Sequence, residues 1–456
     1  MSRHRGLGSV FWAFILISLG TVLLLRNLGY SLPIWEGLAR YWPLLIIGWG
    51  LLKVVDYYRL KGETRSLFSG GEVALLIFVL FVGSAFTAAS HISFDLGFLD
   101  INLGEHFDLF DILGENFEFD ARLELEAEPG VVVEIHNVYG DVEVSAGETD
   151  AIVVEIVKTV RARDRAEAER IEPELSFTIV ERDGKYLIES NRGDIANQRR
   201  RRFKTSLAVK VPALSAVTVD NRYGTVRISG LTGDMVVVNR YGGTTLEDIT
   251  GAVRIEDGYG PLVVEDITGD VDLMNRYGSV TVSGVTGQAR VENKYGTIRV
   301  AQVDGDATII NKYSLVSLEE IGGRVEVEGR NNSVDVENVR GAVDVQTSYK
   351  DIVVRNPGGP VELANRHGNI RVFFDAPPEH DVSLTGDYSD LQIELPAVSS
   401  FVLDALTRSG SFDSDFQGIN RTSSGSTERA EGEQGQDGPR LVFQTGRGDV
   451  RLLSRN

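Results

Sequence analysis

Cysteine is absent from all 456 residues, which excludes disulfides and thiolate metal sites and leaves the redox compartment unassigned. Histidine is scarce, with six residues scattered along the chain, so no imidazole cluster suggests a metal centre or a general base. Net positive charge is also missing. The chain carries −20, and residues 1–72, with 8 Lys/Arg and 4 Asp/Glu, leave −24 on the other 384. An acidic exterior of this size argues against nucleic acid as a main partner. No nucleotide-binding loop, nucleophile–base arrangement or metal-ligand spacing stands out, and no small-molecule substrate, cofactor or metal is assigned.

What the chain has instead is a repeat. Tyr223, Tyr241, Tyr259, Tyr277, Tyr295 and Tyr313 are each 18 residues apart, and Asn331, Tyr349 and His367 continue the register. Half a period later Gly233, Gly251, Gly269, Gly287, Gly305, Gly323, Gly341 and Gly359 form a second column. A fixed short period is the signature of a solenoid, each repeat one coil stacked on the next. Within a coil, aliphatic pairs such as Val226/Ile228 and Met235/Val237 recur with spacing two, the alternation of half-buried strands. A single aliphatic column (Leu231, Ile249, Ile267, Val285, Val303, Ile321, Val339) precedes the glycine by two and reads as an inward corner residue.

Each coil is thus strand, corner, strand and turn, the turn written Asn-Arg/Lys-Tyr-Gly. The turn glycine suits positive φ. Asn221, Asn239, Asn275, Asn293, Asn311 and Asn365 suit an internal ladder, each amide bonding to the coils above and below. The tyrosines are expected to stack along the turn edge, with Arg222, Arg240, Arg276, Lys294, Lys312, Arg330 and Arg366 towards solvent. Nine coils at about 4.8 Å per step predict a rod roughly 40 Å long. These ladders are assigned structural rather than active-site roles.

Three apolar runs precede the repeat: residues 7–25, 38–55 and 73–92. The first and third are long enough to span a bilayer. The middle one is shorter, but Trp42, Trp49, Tyr57 and Tyr58 supply interfacial aromatics and Lys53 can snorkel. A cleaved signal peptide is set aside, because a second run follows closely and no small-residue cleavage site is evident. With three spans, the inside segments hold Arg3, Arg5, Lys53, Arg59, Lys61 and Arg65, and the outside hairpin only Arg26 and Arg40. The positive-inside rule then places the N-terminus in the cytoplasm and the solenoid outside it.

The stretch from Phe11 to Gly29, followed by Tyr41-Trp-Pro-Leu-Leu-Ile-Ile-Gly-Trp-Gly50, resembles the LiaF-type transmembrane region of bacterial cell-envelope stress proteins. The ectodomain resembles the adhesin-type β-strand-repeat, or toastrack, family. That likeness rests on the Tyr-Gly/Val-x-Val coils, the strand Leu207-Ala-Val-Lys-Val-Pro212 and the terminal Thr445-Gly-Arg-Gly-Asp-Val450. The resemblance implies a membrane-anchored solenoid of the envelope and transfers no catalytic residues.

The remaining segments divide as follows. Residues 93–116 form a juxtamembrane linker alternating acids with large apolar residues, read as a surface-lying helix or an ordered linker. Residues 117–212 form an irregular β-rich cap, with His136-Asn-Val-Tyr-Gly140 as an early turn copy and a short helix at 166–171. The regular solenoid covers 213–375. Its register breaks at Ala376-Pro-Pro-Glu-His380, and 376–456 hold further coils with a Gly/Ser/Glu/Gln-rich stretch near 418–439 read as disordered. The basic run Arg199–Arg202 reads as a solvated loop or an anion contact, and the Arg-Gly-Asp triplets at 192–194 and 447–449 as turns.

Enzyme readings find little support. Left-handed acyltransferase helices also use 18 residues per coil, but as three hexapeptides with an aliphatic residue every sixth position, unlike the spacing here. Polysaccharide-cleaving helices need carboxylates clustered in a groove, whereas Glu256, Asp272, Glu292, Glu326, Asp344 and Glu362 are spread along an outward face. Glu247-Asp248, Glu265-Asp266 and Asp304-Gly-Asp306 place oxygens near corners, but the repeat lacks the calcium-loaded nonapeptide. The expectation is N-terminal transmembrane helices plus an all-β parallel solenoid with an irregular cap. It would sit in the bacterial cytoplasmic membrane as a multi-pass protein and act without catalysis in envelope sensing, scaffolding or stress regulation. Its partners would be the bilayer and an envelope protein or polymer. A surface adhesin and an enzyme acting on envelope polysaccharide are the alternatives.

Overall fold

The computed structural model describes residues 114–196 and 202–455. The three spans expected at 7–25, 38–55 and 73–92 lie outside the described residues, as do most of the juxtamembrane linker and Arg199–Arg201. Gly114–Asn456 is one compact unit.

Alternation drives the architecture. In the strand Met235–Tyr241, Met235, Val237 and Asn239 point inward and are buried, while Val238 and Arg240 face out. Each regular coil contributes two such strands, one to each of two parallel stacks facing each other across an aliphatic interior. Met235–Tyr241 pairs with Ser215–Tyr223 on one side and Val253–Tyr259 on the other, partners 18 residues apart. Val226–Thr232 and Thr244–Thr250 pair in the same way in the second stack. The register holds through Val361–His367 and Ile370–Phe373. At Ala376–His380 the offset rises from 18 to 21, as in Val361↔Val382 and Ile370↔Leu391, and the three extra residues are absorbed outside the ladder.

The inward column at Leu231 depends on a local device. Between Ile228 and Leu231 two residues face outward, and the second of them carries positive φ: Gly230, Asp248, Asp266, Gly284, Gln302, Glu320, Asn338 and Asn356 all lie between 49° and 68°. This left-handed residue shifts the strand's phase by one and returns the next aliphatic side chain to the core. The buried residue is therefore carried by a kink within the strand, short of the corner itself.

The ends are interleaved. At the N-terminal side Val131–Tyr139 lies between Ser215–Tyr223 and the later strand Lys185–Ser190. Val142–Ala146 similarly lies between Val226–Thr232 and Phe203–Val211. Two antiparallel strands then close this edge: Ala151–Ala162 on Phe203–Val211, and Glu115–Glu126 outermost. A short helix, Arg165–Ile171, begins at Asp164, whose carboxylate accepts the Glu167 N–H at 2.8 Å. Glu167 reaches back to the Arg163 N–H at 2.9 Å and also pairs with Arg202 at 3.2 Å. The backbone bond to Arg163 is the main cause holding the Glu167 carboxyl down at about 2.

The C-terminal end repeats the interleaving. Arg440–Arg447 runs between Val382–Tyr388 and the earlier strand Phe401–Thr407, and Val450–Arg455 between Leu391–Pro396 and Phe412–Ser414. The stretch 418–439, expected as a disordered insertion, instead forms a hairpin. Asn420–Ser424 pairs with Thr427–Gln434, which lies antiparallel on Phe401–Thr407. Ala430 is fully buried, and Phe416 packs edge-on against Phe401 at 5.1 Å. The outermost strand Asn420–Ser424 is polar and exposed throughout, which blunts an open sheet edge against further pairing.

Candidate functional surface: the tyrosine edge

The turn between the two stacks presents the most regular exposed surface of the described residues. Tyr223, Tyr241, Tyr259, Tyr277, Tyr295 and Tyr313 stack with ring centroids 4.7–5.1 Å apart and planes within 11° of parallel. Tyr139 extends the row with an edge-on contact to Tyr223 at 6.0 Å. Asn331 interrupts it, and Tyr349, His367 and Tyr388 resume it at 5.0 and 4.9 Å. Each pair contributes roughly 0.5–1.5 kcal/mol beyond burial. Because ring faces meet ring faces, ring edges and hydroxyls face solvent, with the tyrosines 36–45 % exposed.

Beneath the rings runs the asparagine ladder, with bonding unlike that expected. The amides do not pair with one another. Asn239, Asn275, Asn293 and Asn311 each donate Nδ2 to the turn carbonyl of the preceding coil, at Gly224, Gly260, Gly278 and Gly296, over 3.1, 3.1, 2.9 and 3.3 Å. Asn221 and Asn365 do the same to Gly140 and Lys350. Their Oδ1 atoms meet no donor among the described residues. Where the column holds Gly329, the side chain of Asn332 folds back and donates to Ser314 O at 3.1 Å, the carbonyl an asparagine at 329 would serve. A Cβ on Gly329 would lie 2.5 Å from Asn332 Oδ1, so the glycine makes room for the substitute.

Two polar residues break the interior pattern side by side, and neither stood out in the sequence. Thr244 occupies an aliphatic column and Asp257 an asparagine position. Thr244 Oγ1 donates to Asp257 Oδ2 at 2.8 Å, the Tyr259 N–H bonds Oδ1 at 3.2 Å, and Asn239 Nδ2 reaches Thr244 Oγ1 at 3.3 Å. Burial dominates over these bonds and pushes the Asp257 carboxyl up to about 6.

The glycine columns owe their composition to close stacking. A Cβ on Gly269 would lie 2.2 Å from Gly251 O, and one on Gly242 1.9 Å from Gly224 O, at a φ of 145°. Gly233, Gly251, Gly287, Gly305, Gly323, Gly341 and Gly359 face the same obstruction from the coil before.

The charged columns behave differently from one another. On the sheet faces, several arginines pair with carboxylates of neighbouring coils, Arg254–Asp272 at 2.9 Å, Arg324–Asp344 at 3.1 Å and Arg371–Asp351 at 3.4 Å, while Arg227, Arg290 and Arg299 form no ion pair among the described residues. On the tyrosine edge, Arg222, Arg240, Arg276, Lys294, Lys312 and Arg366 are exposed and form no ion pair among the described residues. Arg222 and Lys294 instead lie beside the rings of Tyr223 and Tyr295, 5.5 and 5.4 Å from the ring centroids.

Three of the corner acids have backbone tasks. Asp248 and Asp266 hold the left-handed kink, and Asp306 Oδ1 accepts the Arg324 N–H of the next coil at 2.7 Å. Among the described residues no group of three or more His, Asp or Glu could hold a metal ion. The Arg-Gly-Asp triplets are structural turns: Arg192 is buried and donates to Phe203 O, and Asp449 Oδ1 accepts from Ser411 N–H.

The family model of the LiaF transmembrane domain matches residues 11–103, and that of Toastrack DUF4097 matches residues 132–453. No curated protein matches. Among solved structures, the chain is similar to a "putative adhesin" from Parabacteroides merdae (12 % identity, 61 % of this chain and 97 % of that one, TM-score 0.27). It is also similar to a "putative adhesin" from Parabacteroides distasonis (13 %, 61 % and 98 %, 0.26) and a "putative cell adhesion protein" from Clostridium sporogenes (8 %, 74 % and 100 %, 0.17). At such overlap these likenesses carry no functional argument. By its coils, its ladders and the match over most of its length, the chain belongs to the Toastrack DUF4097 family, with a LiaF transmembrane domain at its N-terminal side.

Proposed function

We propose that this protein is a non-enzymatic, membrane-anchored solenoid working on the extracytoplasmic side of a bacterial cytoplasmic membrane, as a sensing or scaffolding element of the envelope. The observation that carries the reading is the use to which the polar groups are put. Interior amides, the corner acids Asp248, Asp266 and Asp306, and turn glycines serve the stack, while one long edge stays exposed as a row of rings interrupted at Asn331. Such a surface suits an extended partner better than a turnover site, which needs convergent acid and base groups. The LiaF domain match supports membrane attachment, and the excess of Lys/Arg in the segments assigned to the inside supports export of the solenoid.

The test is proximity crosslinking in intact cells from a probe on the outward face of the coils, combined with the stress response of a deletion strain. Capture of a sensor kinase, transporter or other envelope protein, with an altered response in the deletion strain, supports the reading. An unaltered response together with protease accessibility of the solenoid at the cell surface would instead favour adhesion, and turnover of envelope polysaccharide by the intact protein would favour an enzyme.

A further inference from the structure

We propose that the tyrosine edge is a docking stripe for a linear, carboxylate-bearing polysaccharide, lying along the rod axis. Three observations converge on that occupant. First, among the described residues the cations of this edge face no carboxylate, whereas Arg254, Arg324, Arg355 and Arg371 on the faces are paired with one. In a chain of net charge −20, an aligned row of cations without counter-charges is a surface complementary to an external anion. Second, between Arg222 and Arg366 the row follows the ring ladder, one cation per coil at a spacing of about 4.7–5.1 Å, with gaps at Gly258 and Ser348 and ends at Val138 and Asp387. That is the scale of one pyranose unit, so a linear polymer meets successive cations without bending. Third, the flank beyond the rings is free of acid in the central coils, carrying Thr225, Gly243, Pro261, Ser279 and Thr297. Acids on the other flank (Asp220, Glu256, Glu292, Glu328) come only at every second coil, with Val238, Met274 and Ile310 between them.

The ring geometry selects among polyanions. Single-stranded nucleic acid binds aromatic platforms through base stacking on exposed ring faces. Here the faces are consumed by neighbouring rings, and the exposed part is a line of ring edges and phenolic hydroxyls. Hydroxyls donate to and accept from sugar hydroxyls, and guanidinium groups take carboxylates in two-point contact. Many weak contacts of this kind add along one polymer, so affinity grows with chain length.

The proposal deepens the envelope reading by naming a ligand class, and its test in solution is independent of membrane topology. Full-length protein in detergent is titrated with polygalacturonate oligomers of increasing length, and with methyl-esterified polygalacturonate, polyglycerol phosphate and single-stranded DNA as comparators. Binding of polygalacturonate is expected to strengthen with length and weaken with salt, and to fall roughly tenfold or more on combining Arg222→Gln, Arg240→Gln and Arg276→Gln. Arg254→Gln, on a paired face position, should leave it unchanged. Far-UV circular dichroism and the melting curve check that the triple variant keeps its fold, as expected for exposed residues that form no ion pair among the described residues. Equal binding by the triple variant, or by the esterified polymer, overturns the stripe. Binding of polyglycerol phosphate or DNA as tightly as polygalacturonate overturns the assignment to a carboxylated glycan. Surface labelling in cells by an impermeant reagent tests the topology separately.

Discussion

Asp257→Asn repairs the one ionisable interruption of the asparagine ladder and should remove a pH dependence from the coil around it. Asp257 lies between Asn239 and Asn275 in register and hydrogen-bonds Thr244 and the Tyr259 N–H, with no cation bonded to it. Asparagines in this column donate to a turn carbonyl of the preceding coil, which an ionised carboxylate cannot do. The folded carboxyl titrates at about 6, against an ordinary value of 3.8. Raised in the folded state, it stabilises the fold fully at pH values below about 4, and that stabilisation is lost as pH rises through about 6. The shift corresponds to at most about 3 kcal/mol, and about 2 kcal/mol after allowing for water near the turn. Near pH 8 the variant should therefore be more stable than the parent by about 2 kcal/mol, and near pH 4 the two should agree within about 0.5 kcal/mol. Solenoids unfold by neighbouring repeats, so the informative assay is native-state hydrogen exchange of Val253–Tyr259, corrected for intrinsic rates. Other carboxylates also titrate across this range, and the difference between variant and parent isolates this one. A variant that follows the parent's pH profile would refute the reasoning.

Gly269→Ala puts a methyl 2.2 Å from Gly251 O and should cost about 3 kcal/mol or more, seen as a lower melting temperature or loss of soluble protein. Asn332→Ala leaves Ser314 O without its buried donor and should destabilise by about 1–2 kcal/mol. Adding Gly329→Asn to that variant should recover most of the loss, whereas Gly329→Asn alone should be harmful, a sign reversal that a double-mutant cycle reads directly. Deleting 440–456 removes two strands from within the stack and should abolish the cooperative melt, while trimming the exposed tip at Ser424–Thr427 should shift it by less than about 1 kcal/mol.

The period made the coils legible, because each inward column repeats one residue class at one spacing. Met235, Val253 and Val271 could be aligned without any structure, and they pair as that alignment requires. The left-handed kink was hidden because its column holds Gly, Asp, Gln, Glu and Asn, which share a tolerated backbone state more than a side-chain chemistry. The ladder's acceptors were hidden because they are backbone carbonyls. Asn332 is hidden for a related reason: it serves the column from three positions away, and only the odd glycine at 329 marks the exchange. The hairpin at 420–434 was masked by its composition. One alanine, Ala430, touches the core, and backbone pairing along Phe401–Thr407 does the rest. Outside the period, nothing in the spacing announces which strand lies beside which.

The interleaved ends set the order in which the molecule can be completed. Residues 401–414 are synthesised before residues 440–455, yet the later residues lie between them and the coil at 382–396. A chain emerging residue by residue can lay down its middle coils as they appear, each on the one before. It cannot seat 401–414 in their final place until some 40 further residues have followed, because the bed they rest on does not yet exist. At the other end Val131–Tyr139 must likewise wait for Lys185–Ser190, and Val142–Ala146 for Phe203–Val211. If the solenoid is threaded across a membrane, both closures fall on its far side, and partially exported chains would hold open strand edges until the threading is done.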